Sequence, residues 1–256
     1  METRQCPKHK SLYILPSLFT LANMGLGYYA IILSLEYKWI QACAVIVIGV
    51  LMDGLDGRIA RYTKTTSEFG LNFDSLVDVI SFGVAPAVVA YHYWMSALNL
   101  TEYRTLGWIL SFVFVATGAM RLARFNVVSK SDLPNTYFLG LPIPAGAGIL
   151  CSMIWIYEKY PAINSNPELS VIFKKLLPLT MLVVSYLMIS KIRYYSFKKA
   201  KWLFKIPVVT VILALALLAS LFLFPSITLF SIGVIYISSG PIRAIFNISK
   251  LKEKNV

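Results

Sequence analysis

Charged residues are scarce in this sequence of 256 residues: they make up 14% of it, against about 25% in soluble proteins. Apolar residues make up 57%, and the mean hydropathy is +0.68. A single core of this size cannot bury so much apolar surface, so lipid must solvate a large part of it. The composition therefore excludes an ordinary water-soluble enzyme and predicts an integral membrane protein.

Cysteine and histidine are also rare, with 3 and 2 copies. Cys6, Cys43 and Cys151 form no Cys-x-x-Cys pair and no cluster with histidine, which argues against a zinc site and a disulfide framework. We therefore expect reduced, structural thiols. Basic residues precede the first apolar run, as in a signal peptide, but the run continues to Leu35 without a convincing cleavage site. We expect a retained first span.

Windows of about 20 apolar residues, each long enough to cross the hydrocarbon core of a bilayer, divide the sequence. They lie at residues 12–35, 39–57, 70–95, 106–124, 140–157, 175–192, 206–224 and 226–246. Because a helix satisfies its backbone hydrogen bonds internally, we predict an all-α, polytopic transmembrane helical bundle of about eight spans. The polar segment 158–174 is predicted to be an outer loop.

Basic residues fall mostly on one side of these predicted spans. The termini and the even-numbered loops carry most of the 24 lysines and arginines. The positive-inside rule then places the N-terminus and the C-terminus in the cytoplasm and the chain in the cytoplasmic (inner) membrane. We expect the formal net charge of +12 to meet anionic membrane lipid, and we predict no nucleic-acid partner.

Four of only 12 acidic residues lie inside or at the cytoplasmic ends of the second and third spans: Asp53, Asp56, Asp74 and Asp78. An aspartate in the middle of a membrane helix costs about 2.5–3.5 kcal/mol on insertion scales. The spacings of three and four residues project each pair from one helical face. The two spans run in opposite directions, so the pairs can face each other, and divalent cations with oxygen ligands would relieve their repulsion.

Small residues continue the two acidic faces. Gly57 and Ala60 extend the face of the first pair, and Gly70 extends that of the second, which leaves room for a flat group beside the helix backbone. Arg61, at the cytoplasmic rim, offers a bidentate partner for phosphate oxygens. Together with the acids, this set is typical of a site for a nucleotide diphosphate.

The residues from Asp53 to Asp78 match the pattern D-x2-D-G-x2-A-R-x8-G-x3-D-x3-D at every fixed position. In this the sequence resembles the CDP-alcohol phosphatidyltransferase family. Further segments resemble the phosphatidylserine synthase branch of that family, at residues 81–86, 121–126, 138–145 and 190–198. We expect a catalytic bundle of about six spans in residues 1–202, and two additional C-terminal helices with a basic tail in residues 203–256.

The resemblance implies transfer of the phosphatidyl group from CDP-diacylglycerol to the hydroxyl of L-serine, giving phosphatidylserine and CMP. It implies that Asp53, Asp56 and Asp74 bind divalent cations, two ions of Mg or Mn. Asp78 would lie at the same centre and take the proton from the serine hydroxyl. We expect direct displacement, because the pattern supplies a base and metal ligands but no obvious covalent nucleophile.

The resemblance assigns the small residues to the nucleotide. Gly57, Ala60 and Gly70 would accommodate cytidine and ribose, with Arg61 near the diphosphate. The active site is expected to face the cytoplasm and the inner leaflet, because water-soluble serine and a lipid must both reach it. The family also implies a homodimer.

Polar residues outside the pattern have open interpretations. Arg121 and Arg124 would contact a lipid phosphate or the serine carboxylate, or would only set topology at the end of the fourth span. Asn23 would orient a substrate phosphate or bond to another helix. Asn126 is included among the substrate-binding candidates through the segment 121–126.

Alternatives to serine transfer stay open at the level of sequence. The same chemistry would act on another acceptor alcohol, such as inositol phosphate, glycerol phosphate or choline. A membrane transporter also buries carboxylates, but it would place them near the bilayer midplane in broken spans, whereas these acids cluster toward one interface. A purely structural acid network is disfavoured by the cost of intramembrane carboxylates.

Overall fold

The computed structural model describes residues 10–62, 68–96, 101–129, 137–195 and 207–253. Two strands are present, β1 (Tyr137–Leu139) and β2 (Arg193–Tyr195). A π-helical segment, Val79–Val84, joins α3 to α4 without a break, and a 3-10 turn, Thr101–Tyr103, precedes α5. The α-helices are α1 (Lys10–Leu35), α2 (Trp39–Tyr62), α3 (Glu68–Asp78), α4 (Ala85–Ser96), α5 (Arg104–Ser129), α6 (Ile143–Lys159), α7 (Pro161–Asn164), α8 (Pro167–Ile189), α9 (Pro207–Leu223) and α10 (Pro225–Glu253).

Each predicted apolar window falls on one of these helices or on the continuous run from α3 to α4. Among the described residues, five stretches are long and apolar enough to cross a membrane: Leu18–Leu35, Phe69–Ser96, Arg104–Val127, Pro167–Ile189 and Pro225–Arg243. Trp39–Gly54, the apolar part of α2, is shorter than these stretches. The prediction of a helical membrane protein is therefore confirmed. The number of eight crossings and the sides of the termini stay predictions.

The predicted outer loop at residues 158–174 is wrong for most of its length. The short helix α7 occupies part of it, and α8 begins at Pro167. The Asn166 side chain caps α8, accepting hydrogen bonds from the backbone N–H of Glu168 at 3.0 Å and of Leu169 at 3.3 Å. Proline at the first helical position needs no N–H partner, so it favours the same start. The hydropathy window began late because charged residues occupy these first turns.

The strands β1 and β2 form an antiparallel pair that the all-α prediction missed. The backbone N–H of Gly140 donates to the Ile192 carbonyl at 2.9 Å, and that of Leu141 donates to the Leu187 carbonyl at 3.0 Å. Gly140 has a φ of 76°, and a Cβ there would collide with the Met188 carbonyl oxygen. The strand pair therefore fastens the connection before α6 onto the end of α8.

The core lies where α1, α2, α4, α5, α6 and α8 pack together. Small side chains line the contacts, since Ala30, Ala42 and Ala147 are fully buried and let the helices approach closely. Large apolar side chains cover the outside, as lipid contact requires. Cys43 and Cys151 are buried free thiols, as predicted, while Cys6 lies outside the described residues.

The last helix, α10, packs against α6 and β2. Gly233 lies beside Ile149 of α6, where a Cβ would be 3.4 Å from the Ile149 Cβ. Gly240 lies against the Tyr194 ring of β2, where a Cβ would be 2.5 Å from Cζ. The Tyr194 hydroxyl donates to the Ile237 carbonyl at 3.3 Å, and burial raises the pKa of Tyr194 to about 12, which keeps this donor protonated. The division at residue 202 stays a prediction.

We expect Gly140→Ala to lower the stability of the protein by about 1–3 kcal/mol or more, because alanine is strained at positive φ and its Cβ meets the Met188 carbonyl. Thermal unfolding in detergent would measure the change. The matched control is Gly148→Ala in α6, where a Cβ meets nothing within 4 Å. Equal melting temperatures for the two variants would contradict the role of Gly140.

Candidate active site

Three predicted aspartates meet at one end of the bundle. Asp53 is supplied by the second half of α2, and Asp74 and Asp78 are supplied by α3. Each carboxylate offers an oxygen, and these oxygens all lie within 4.8 Å of one another. All three side chains are half-buried, so the cluster is set into the protein and not displayed on its surface.

Packing of α3 and the π-helical segment against the bundle holds the two α3 carboxylates in place. Val77, next to Asp78, is fully buried, whereas Leu76 is exposed. Three residues beyond Asp78, the Ser81 hydroxyl donates to the backbone carbonyl of Asn23 in α1 at 3.1 Å. A Cβ at Gly27 would lie 2.7 Å from the Ser81 Cα, so only glycine allows α1 to approach this closely.

Asn23 lies one helical turn away from the carboxylates. Its side chain is 1% exposed and packs against Gly49, which precedes Asp53 by one turn of α2. The Asn23 Oδ1 is buried without a hydrogen-bond partner. The backbone of Asn23 therefore holds the π-helical segment, while its side-chain oxygen points into the contact between α1 and α2.

The structure describes the remaining residues of the pattern unevenly. The side chains of Asp56, Gly57, Ala60 and Arg61 lie outside the described part of the chain, which carries only their helical backbone in α2. Gly70 lies in α3, one turn before Asp74, on the same face as the two α3 aspartates. Their assigned roles stay predictions.

The three candidate residues on α5, Arg121, Arg124 and Asn126, lie in different environments. Arg121 is 8% exposed, and the side chains of Asp78 and Tyr236 are near enough to act on its charge. Arg124 instead donates from Nη1 to the Ile189 carbonyl at the end of α8, at 3.4 Å. This contact is the expected one for a cation at a helix C-terminus.

Asn126 reaches toward the acidic helix. Its Nδ2 donates to the Ser75 hydroxyl at 2.9 Å, and Ser75 in turn donates to the Leu71 carbonyl at 3.0 Å. Ser75 follows Asp74 directly, so this bond ties the end of α5 to α3, the helix that carries Asp74 and Asp78. Ser75 was not singled out from the sequence, although its place inside the aspartate pattern was the available signal.

Tyr236 in α10 was also not singled out from the sequence. Hydropathy shows only an apolar stretch there, and nothing in the local sequence indicates which helix it meets. The available signal was the pair Gly233 and Gly240, which lie seven residues apart on the same helical face as Tyr236. Such a face is typical of close helix packing.

The residues present fit a divalent cation. Carboxylate oxygens are the ligands that Mg²⁺ and similar hard cations take, at about 2.0–2.1 Å, so ligands on opposite sides of one ion are about 4 Å apart. The observed spacing, within 4.8 Å, needs only small side-chain rotations to reach that geometry. The repulsion between the three charges also favours a bound cation.

These features define a class of protein: a helical membrane protein with a carboxylate cluster, suited to divalent cations, between two neighbouring helices. Residues 13–180 match the family model for CDP-alcohol phosphatidyltransferase. The chain belongs to the CDP-alcohol phosphatidyltransferase family, which confirms the resemblance inferred from the aspartate pattern.

Named relatives share the sequence well beyond that pattern. The chain is 39% identical over 240 residues, 94% of each chain, to a CDP-diacylglycerol–serine O-phosphatidyltransferase from Helicobacter pylori. It is 38% identical over 189 residues, 73% of this chain and 72% of the relative, to an archaetidylserine synthase from Methanothermobacter thermautotrophicus. It is 35% identical over 175 residues, 68% of this chain and 70% of the relative, to a CDP-diacylglycerol–serine O-phosphatidyltransferase from Methanocaldococcus jannaschii.

We expect Asp74→Asn to lower the affinity of the purified protein for Mn²⁺ by about tenfold or more, because the variant removes one charged ligand. Electron paramagnetic resonance of free Mn²⁺ during titration measures this without turnover. The control is Glu36→Gln, an exposed carboxylate paired with Lys38 at 2.7 Å outside the cluster. An Mn²⁺ affinity equal to that of the control would show that Asp74 is not a ligand.

Proposed function

We propose that this protein transfers the phosphatidyl group of CDP-diacylglycerol to the hydroxyl of L-serine, giving phosphatidylserine and CMP. The cluster of Asp53, Asp74 and Asp78 carries the proposal. The chain is also 39% identical, over 94% of its length, to a CDP-diacylglycerol–serine O-phosphatidyltransferase. The cluster supports a reaction at a diphosphate, and the similarity supports serine as the acceptor.

Asp53, Asp56 and Asp74 would hold the divalent cations, Mg or Mn and two in number, with Asp78 at the same centre. When bound, such cations neutralise the diphosphate and the charge that develops on the CMP leaving group. The small residues Gly57, Ala60 and Gly70 leave space for cytidine and ribose. Arg61 presents its guanidinium to the diphosphate.

Asp78 acts as the general base in this mechanism. Its carboxylate accepts the proton of the serine hydroxyl as the serine oxygen forms a bond to the phosphatidyl phosphorus. The bond from that phosphorus to the CMP oxygen breaks in the same displacement. The contact of Ser81 with α1 holds the helix just beyond Asp78, so the base keeps its position during the step.

The cluster lies between the second half of α2 and α3, and Asn126 joins the end of α5 to Ser75 of α3. With both termini in the cytoplasm and eight crossings of the inner membrane, this end of the bundle would face the cytosol and the inner leaflet. Serine would enter from water and CDP-diacylglycerol from lipid. We also propose that the protein forms a homodimer.

The proposed acceptor is tested by supplying purified protein, Mn²⁺ and CDP-diacylglycerol with one acceptor at a time. We expect CMP release with L-serine to exceed the release with inositol phosphate, glycerol phosphate or choline by about 100-fold or more. A site that binds the charged groups of serine leaves its own polar groups unpaired when another acceptor takes the place of serine, which lowers the rate. CMP release is measured by chromatography. Robust release with another acceptor and none with serine would overturn the proposal, and substrate flux across vesicles without CMP formation would favour a transporter.

We expect Asp78→Asn to lower kcat by at least about 100-fold, because the amide cannot accept the hydroxyl proton. Binding of CDP-diacylglycerol should stay measurable by equilibrium dialysis. The control is Glu102→Gln, an exposed carboxylate before α5. A near-normal kcat in Asp78→Asn would remove Asp78 as the base.

A further inference from the structure

The C-terminal helix α10 lies outside residues 13–180, which the family model matches, and it packs against α6 and β2. Gly233, Tyr236 and Gly240 are spaced by three and four residues, so they share one face of α10. The two glycines press this face against Ile149 of α6 and Tyr194 of β2. The contacts therefore turn Tyr236 toward the bundle.

Tyr236 has a defined position on that face. Its ring lies 5.5 Å from the Tyr194 ring, centroid to centroid, and the neighbouring Ile237 carbonyl accepts the Tyr194 hydroxyl. Tyr236 is half-buried and close enough to Arg121 for the guanidinium charge to act on its hydroxyl. A side chain from α10 thus lies in the neighbourhood of Arg121, whose charge also interacts with that of Asp78.

The second observation is the burial of Arg121. It is 92% buried, and its Nε has no hydrogen-bond partner. Buried guanidinium donors are costly to leave without an acceptor, and a carboxylate is the acceptor whose geometry suits them. Asp78, the proposed base, is also close enough for its charge to act on Arg121, so the arginine lies in the neighbourhood of the cluster.

The chemistry of an amino-acid acceptor fits this arrangement. In serine, only two carbon–carbon bonds separate the hydroxyl-bearing carbon from the carboxylate carbon. The carboxylate must therefore lie within a few ångströms of Asp78, among side chains that repel it. A buried cation next to the base removes that repulsion, and a tyrosine hydroxyl beside it supplies a further donor.

We propose that Arg121 and Tyr236 together bind the carboxylate of the acceptor, so that α10 completes the active site and selects amino-acid acceptors over amino alcohols that lack a carboxylate. The inference rests on the proposed function and goes beyond it by naming the residues that set acceptor specificity. Arg121 supplies the charge, and Tyr236 supplies a hydrogen bond from a helix outside the aspartate pattern.

The test compares L-serine with serinol, 2-amino-1,3-propanediol, which keeps the amine and a hydroxyl but lacks the carboxylate. We expect Tyr236→Phe to raise the KM for serine by about 10- to 100-fold, the effect of losing a hydrogen bond to a charged group. The KM for CDP-diacylglycerol and the rate with serinol should not change. Tyr186→Phe, on the exposed face of α8, is the matched control and should keep the preference for serine.

Binding of serine to protein loaded with CDP-diacylglycerol and Ca²⁺, followed by calorimetry, gives a readout that does not depend on turnover. Arg121→Gln should abolish this binding, and Arg121→Lys should restore part of it because the charge returns. The phenylalanine ring in Tyr236→Phe keeps the contact with Tyr194, so this variant should fold.

Wild-type discrimination between serine and serinol in Tyr236→Phe would overturn this inference alone. A raised KM for CDP-diacylglycerol in place of serine would also overturn it, because Tyr236 would then contact the donor lipid. Absence of any serine-dependent CMP release from the wild-type protein would instead refute the proposed function itself.

Discussion

The mutual repulsion of clustered carboxylates is the constraint on which the rest of the structure depends. Two unit charges about 4 Å apart repel by about 4 kcal/mol at an effective dielectric constant of about 20, and the cluster contains three such groups. Helix packing must therefore supply the energy that holds Asp53 against Asp74 and Asp78. The close approach of α1 at Gly27 and the buried contacts of α2 with α6 supply it at a distance from the charges. The three carboxylates are held together because the helices that carry them are packed tightly at a distance from the charges.

The sequence predicted the parts of the site whose geometry is local. Asp74 and Asp78 lie one helical turn apart, so their common face follows from helix periodicity alone. The meeting of Asp53 with this pair followed from one further assumption, that consecutive spans are antiparallel neighbours. The apolar windows likewise located the helices, because lipid exposure imposes a simple composition on them. These predictions needed no knowledge of distant contacts.

The features that the sequence did not predict all depend on distant contacts. The strand pair joins residues more than fifty positions apart, and its register is set by the end of α8 and by Gly140. The early start of α8 depends on a cap, Asn166, that a hydropathy window ignores. Tyr236 faces the bundle because two glycines and Tyr194 set the rotation of α10. In each case a specific tertiary contact decides what a composition average cannot.

The π-helical segment Val79–Val84 directly follows Asp78, and its residues Ser81, Phe82 and Gly83 are buried. A π-turn accommodates an extra residue, so it changes the angular phase between the helix before it and the helix after it. The orientation of the aspartates on α3 is therefore decoupled from the orientation that α4 needs for its own packing. One continuous membrane helix can in this way satisfy two different angular requirements, one set by chemistry at its beginning and one set by the hydrophobic interior along its remainder.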